Sequence, residues 1–332
     1  MTTLLRTRRT RRTRRTRRTR RTRRTRRTRA GLAAALTALC AGLVPLAAGS
    51  TPASAAHVWR TAWADDFNGP AGTLPDSGKW MVDIGTGYPG GPPNWGTGEV
   101  QTYTAEPANI SHDGRGNLRI TPLRDNAGRW TSGRIETRRS DFRPPAGGRM
   151  RIEARIQLPA VTGAAAEGYW PAFWTLGASY RAGVPSPTSG EFDIMENANG
   201  LNRIWGVMHC GTATGGPCNE STGLAAGTTC PGTRCTGTFH TYTLEWDRRT
   251  STERLHWFVD RRRYHTVSST QVDPATWQAA TAQGHFLLLN LAVGGGFPNA
   301  LAGHATPTTQ TRPGYPMLVD HVAVLTATPH RP

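Results

Sequence analysis

The hydrophobic pattern along this chain is that of strands. Across residues 147–159, Met150, Ile152, Ala154, Ile156 and Leu158 alternate with Arg151, Glu153, Arg155 and Gln157. A period of two gives one buried face and one wet face. Residues 239–246 and 255–259 predict two further aromatic-rich strands, separated by a polar turn over 247–254. Residues 286–293 form a nearly continuous apolar run with one polar member, Asn290. Turn signals recur between the runs, at Asn68-Gly69, Pro89-Gly90-Gly91-Pro92-Pro93, Gly114-Arg115-Gly116 and Gly294-Gly295-Gly296. Only residues 274–283 predict a short helix. Regularly spaced strands with turn signals predict an all-β sandwich. No Ser/Pro-rich linker follows residue 57, and no second module is expected.

Charge changes the picture only at the N-terminus. The 332 residues carry 40 basic and 22 acidic side chains, a net +18. Residues 6–29 are a Thr-Arg-Arg repeat that holds 16 of the arginines and no acid. The rest has 24 basic residues against 22 acidic, so its near-neutral body argues against nucleic-acid binding. The repeat leads into an apolar stretch over 30–49 and a small-residue stretch over 51–56. Together these predict a secretory signal peptide over residues 1–55, cut after Ala55 or Ala56. Thr37, Cys40 and Pro45 interrupt the apolar run, which argues against a permanent membrane anchor. The repeat itself reads as a simple-sequence expansion or a misplaced start. The alternative, a phosphate-binding arm, would be lost at cleavage. The expectation is one secreted domain over residues 56–332, monomeric.

Four cysteines, Cys210, Cys218, Cys230 and Cys235, fall within 26 residues. An even count in an exported chain predicts two disulfides. Three pairings are open, and loop proximity favours Cys210–Cys218 with Cys230–Cys235. No pair has the two-residue spacing of a zinc knuckle.

The chemistry concentrates in Ser189-Gly190-Glu191-Phe192-Asp193-Ile194-Met195-Glu196-Asn197. Glu191 and Asp193 share one face of a strand. Glu196, five residues from Glu191, would point into the core of a regular strand, where an unpaired carboxylate is costly. A single β-bulge near Ile194-Met195 would return it to the face of the other two. Two carboxyls about 5–5.5 Å apart suit retaining glycoside cleavage, one attacking and one donating a proton. A third negative group beside them raises the proton affinity of at least one. The plainer reading is a solvated acidic strand face.

The segment Glu191-Phe192-Asp193-Ile194-Met195-Glu196 resembles the signature of glycoside hydrolase family 16 in its bulged, laminarinase-like form. The resemblance runs in order through residues 63–325. Ala64-Asp65-Asp66-Phe67-Asn68-Gly69 looks like the opening strand, and Trp95-Gly96-Thr97-Gly98-Glu99-Val100-Gln101-Thr102-Tyr103 like the aromatic/Glu/Gln segment. Tyr169-Trp170-Pro171-Ala172-Phe173-Trp174-Thr175-Leu176 looks like the strand before the acidic one. Asn290-Leu291-Ala292-Val293-Gly294-Gly295 and Val319-Asp320-His321-Val322 look like the closing strands. The resemblance implies a concanavalin-like β-jelly-roll sandwich with a substrate cleft on its concave sheet. It implies a retaining endo-β-1,3-glucanase acting on laminarin- or curdlan-type polymers. A β-1,3-galactanase, a mixed-linkage glucanase or a non-catalytic β-glucan-binding protein are the alternatives.

By position, the resemblance implies Glu191 as nucleophile, Glu196 as acid/base and Asp193 as the residue orienting the nucleophile. Trp170 and Trp174 share a face by their even spacing, and the resemblance puts that face in the cleft. Asn94, Trp95, Glu99, Arg134 and His209 are candidate sugar contacts. Asn290 either faces the cleft or satisfies a buried backbone group. No cofactor is implied for catalysis, but Asp66, Gly69 and Asp320 are candidates for a structural Ca²⁺, which prefers oxygen ligands. The sequence departs from the family pattern in four places. Asp66 stands where Glu is common, and Gly98 where Asn is frequent. Arg replaces Gly in the turn Asp260-Arg261-Arg262, which implies a turn without positive φ there. The insert over 211–238 carries the four cysteines, and a stapled loop near one end of the cleft is expected.

Overall fold

A computed structural model describes residues 58–212 and 214–328. The signal segment, the Arg repeat and Cys40 lie outside the described residues. Two sheets face each other across one core. The outer sheet orders its strands as Arg262–Ser268, Arg254–Val259, Phe239–Asp247, Arg149–Gln157, Met317–Ala327, Leu118–Ile120 and Ile110–His112. Arg60–Asp65 adds to it by pairing with Met317–Ala327. The inner sheet runs Leu224–Thr228, Ile204–His209, Glu191–Glu196, Tyr169–Gly177, His285–Val293, Arg134–Thr137 and Trp80–Val82. Every pairing in both sheets is antiparallel.

The alternation in the sequence decides which face of each sheet is buried. Met150, Ile152, Ala154 and Ile156 point inward, while Arg149, Arg151, Glu153, Arg155 and Gln157 point out. Phe173, Phe192, Ile194, Leu287, Leu289 and Leu291 of the inner sheet join them in one apolar cluster. Phe192 meets Trp246 edge-on at 5.6 Å. One hydrogen bond crosses the core to the acidic strand: Trp257 Nε1 donates to the Asp193 carbonyl at 2.8 Å. The outer sheet thereby fixes the backbone that carries the carboxylates.

The helix expected over 274–283 spans Pro274–Thr281, with Asp273 Oδ1 accepting from the Thr276 amide as its N-cap. A second helix, Gly296–Ala302, follows the triple glycine, which sequence alone read as a turn. Gly295 takes φ 101°, so the glycines both turn the chain and start that helix. The expectation for Asp260-Arg261-Arg262 is corrected. Asp260 and Arg261 have φ of 47° and 66°, a pair of left-handed residues joining two adjacent strands. Asp260 is held there by its carboxylate, which accepts from the Thr241 amide at 2.9 Å and contacts His240 Nδ1 at 2.6 Å. The disulfides pair Cys210 with Cys218 and Cys230 with Cys235, as proximity favours. Among the described residues no helix is long and apolar enough to cross a membrane.

The candidate Ca²⁺ residues have other neighbours. Asp320 Oδ2 lies 3.3 Å from Arg155 Nη1 and 3.0 Å from His321 Nδ1. A carboxylate already facing a guanidinium is a poor start for a divalent cation. Asp66 is exposed, and a Cβ on Gly69 would overlap the His112 ring.

Candidate active site

The expected bulge exists. Asp193 pairs with Trp174, but Met195 pairs with the very next residue, Phe173, so Ile194 is the extra residue. The other edge shows the same slip between Asp193 and Glu196. Ile194 and Met195 both enter the core, and Glu196 returns to the face of Glu191 and Asp193. Glu196 then meets Trp170 from the neighbouring strand, whose Nε1 donates to its Oε1 at 2.8 Å. Glu191 is partly exposed and accepts from Ser186 Oγ at 2.5 Å.

The three carboxyls have different surroundings. Burial pushes Glu196 up to about 7. The nearby Glu191 charge adds to the rise, while the Trp170 hydrogen bond and His209 hold it back. Burial also pushes Asp193 up well above the usual carboxylate range, reinforced by the charges of Glu196 and Glu191. Asp193 Oδ2 is buried with no hydrogen-bond partner, with His209 Nε2 3.4 Å away. The other nitrogen of His209, Nδ1, contacts Glu220 Oε2 at 2.7 Å. Burial alone would lower His209. The Glu220 hydrogen bond and the charges of Asp193, Glu191 and Glu220 outweigh it and push it up to about 10. His209 thus sits as an imidazolium between acids, with Nδ1 taken by Glu220 and Nε2 facing Asp193.

The remaining sequence candidates divide into a surface and its support. Trp170, Trp174 and Trp95 are each half-buried. Trp174 Nε1 donates to Asn290 Oδ1 at 2.8 Å, and Asn290 Nδ2 donates to the Tyr103 hydroxyl at 3.0 Å. Asn290 therefore lies on the carboxylate side of its strand, but it is spent orienting Trp174. Of the two alternatives for Asn290, the side facing the carboxylates is the one the structure shows. Glu99 is buried and accepts from Thr97 Oγ1, Gln101 Nε2 and the Tyr103 hydroxyl. Arg134 is also buried, donating to Asp83 Oδ2 at 2.8 Å and to the Tyr88 hydroxyl at 2.9 Å. Its guanidinium lies 4.2 Å from the Trp95 ring centre and 5.0 Å from that of Trp174. Glu99, Arg134 and Asn290 hold the aromatic rings; they do not point at open space. Asn94 is exposed, with φ 51°, next to Trp95 at φ 55°. The nearby Gly98 has φ 79°, a region that favours Gly and tolerates Asn, which accounts for the departure from the family pattern.

Sequence reasoning missed several members. Trp205 is paired directly across from Glu196, and Phe297 bridges Trp205 and Trp170 at ring separations of 5.2 and 5.7 Å. These rings form an aromatic rim beside Glu196. Trp205 sits opposite the bulge, where register is hard to read. Phe297 lies on the unexpected second helix. Ser186, Tyr88 and Glu220 were missed because they come from loops.

This arrangement can be compared with known proteins. The family model for glycosyl hydrolases family 16 matches residues 100–291. The solved structure of an endo-1,3-β-glucanase from Streptomyces sioyaensis is 54% identical, with a TM-score of 0.80, and the match covers 82% of this chain and 97% of that one. An endo-β-1,3-glucanase structure from Pyrococcus furiosus is 31% identical with a TM-score of 0.63, over 81% and 95% of the two chains. Glucan endo-1,3-beta-glucosidase A1 of Niallia circulans is 30% identical over 282 residues, 79% of this chain. The match spans only 37% of that relative's length.

Proposed function

The chain belongs to glycosyl hydrolase family 16, and from that premise we propose that it is a retaining endo-β-1,3-glucanase. One observation carries the reading. The bulged acidic strand puts Glu196 on the same face as Glu191, hydrogen-bonded to an indole and pushed up to about 7. In the first step the Glu191 carboxylate attacks the anomeric carbon, and the C–O bond to the leaving sugar breaks. Glu196, protonated, gives its proton to the departing oxygen. With Oε1 already accepting from Trp170, the proton is carried on Oε2. In the second step Glu196, now ionised, takes a proton from water, and the water oxygen displaces Glu191 from the sugar. Asp193 stands between the two acids and orients Glu191. Trp95, Trp170 and Trp174, with Trp205 and Phe297, offer ring faces for sugars.

Relatives whose names specify 1,3-β-glucan support that polymer as the substrate. Export by residues 1–55, a monomeric state and a single catalytic domain over 56–332 belong to the same proposal. The reaction as written uses no metal. The test is release of reducing ends from laminarin, mixed-linkage β-glucan and β-1,3-galactan in parallel. Release from laminarin with retained anomeric configuration is expected. Release from galactan alone would overturn the substrate, and binding without cleavage would overturn the enzyme.

A further inference from the structure

The insert that follows the histidine strand has no part in the reaction as written, yet it delivers a fourth acid to the site. Glu220 is the only charged residue in residues 211–229. It is buried, at 7% exposure. Its Oε2 meets His209 Nδ1 at 2.7 Å, and its Oε1 accepts from the Cys210 amide at 3.1 Å. Cys210 is itself bonded to Cys218, two residues before Glu220, so the disulfide closes the loop on which the acid sits. The Glu220 backbone pairs with Gly215 across the same loop. Gly223 leaves room for the ring, since a Cβ there would come within 2.9 Å of its Nδ1 and Cε1. The ring is thus held through Nδ1 with Nε2 toward Asp193. His209 also stands directly opposite Glu191 in the strand register.

We propose that Glu220 is a positioning residue for the reaction, which holds His209 as a fixed cation against the catalytic carboxylates through a disulfide-closed loop. The proposal rests on the reading of Glu191 and Glu196 as the catalytic pair. Its logic is electrostatic. The charged groups around His209 are Glu191, Asp193 and Glu196 on the acidic strand and Glu220 on the loop. An imidazolium among them favours an ionised nucleophile and limits how far Glu196 rises. Without Glu220, burial would drive the ring toward its neutral form. Glu196 would then hold its proton to higher pH.

The test has two parts. NMR titration of the histidine rings, with His209 assigned through His209→Asn, follows the protonation directly. His209 should stay protonated up to at least pH 8.5 in the parent and should titrate about one unit or more lower in Glu220→Gln. That variant keeps the shape and one acceptor oxygen, enough for His209 Nδ1 or the Cys210 amide but not both, while removing the charge. Its kcat on laminarin should fall about tenfold at the parent's optimum, and the alkaline limb of the pH profile should move up, with KM within twofold. A residue that only stabilised the loop would lower the melting temperature and leave the pH profile in place. The proposal is overturned if the profile and the His209 titration of Glu220→Gln superimpose on the parent's. Should that variant not fold, the parent alone decides, because a His209 that titrates below pH 7 has no fixed charge. Failure of the parent to cleave any glucan would sink the proposed function instead, and the titration would still test the clamp.

Discussion

Two strands of this molecule start from nearly the same sequence pattern and end with opposite roles. Arg149–Gln157 alternates charged and apolar residues and keeps nine consecutive pairs with Phe239–Asp247 without a slip. Its charges face outward, and they are spent on neighbours: Arg151 on Glu245 at 2.6 Å, Arg155 on Asp320 at 3.3 Å. Glu191–Glu196 alternates in the same way for four residues and then bulges. Its carboxyls find one indole, one hydroxyl and one imidazole, but among the described residues no guanidinium is bonded to any of them. In the outer strand, solvent and ion pairs neutralise the charge cheaply. In the inner strand, burial outweighs the one nearby imidazolium and raises proton affinity, and that is what a proton donor requires. Outward, paired charges serve the fold; buried carboxyls returned to one face by a bulge carry the chemistry.

The sharpest way to break this contrast is to alter one residue on each strand. Glu191→Gln should lower kcat by about 10⁴-fold or more while the protein stays folded, because it removes the attacking atom. Near-normal turnover in a clean preparation would end the nucleophile assignment. The counterpart is Ile152→Ala, at a fully buried core position of the outer strand. Here the loss should be about 2–5 kcal/mol of stability, read by denaturant unfolding. Turnover per folded molecule should match the parent. An Ile152→Ala protein that is stable but inactive would show that the two strands are not separable in this way.

How much of this was legible beforehand follows the same division. The regular strands were readable because each residue's face depends on its nearest neighbours in sequence. The bulge was readable for a different reason: only an extra residue keeps Glu196 out of the core. The supporting network was not readable. Arg134 finds Asp83 and Tyr88 at separations of 51 and 46 residues, so its sequence gives no hint that its donors are already taken. Asn290 stood out as the one polar residue in an apolar run, but what it bonds lies on two other segments, at Trp174 and Tyr103. Glu220 carried a signal in hindsight, as the lone charge in a polar, Gly-rich loop beside a half-cystine. Asp260 and Arg261 went the other way. A Gly preference in such turns is a statement about average cost, and a carboxylate bonded to the Thr241 amide offsets it here.

The smallest effect is the most discriminating, because it asks whether the buried acid costs stability as well as enabling turnover. Glu196 has its folded-state proton affinity raised from 4.5 to about 7. The folded protein therefore binds a proton that the unfolded chain has released between those values. The stability linked to this group is fully present below pH 4.5 and is lost as pH rises through about 7. Glu196→Gln removes the group and should flatten the fall in stability between pH 5 and 6.5 by on the order of 1–3 kcal/mol. The slope should shrink without vanishing, because Asp193 is raised in the same direction and remains. Activity should follow the same dependence on the same proton. The general acid works while it holds the proton, so kcat/KM of the parent should decline as pH rises through about 7. Chemical denaturation at several pH values checks the first half, and a kcat/KM profile checks the second. A Glu196→Gln protein whose stability falls with pH as steeply as the parent's would mean that this carboxyl is ionised in the fold throughout. The strand would then be a solvated acidic face after all, and its difference from Arg149–Gln157 would be one of geometry alone.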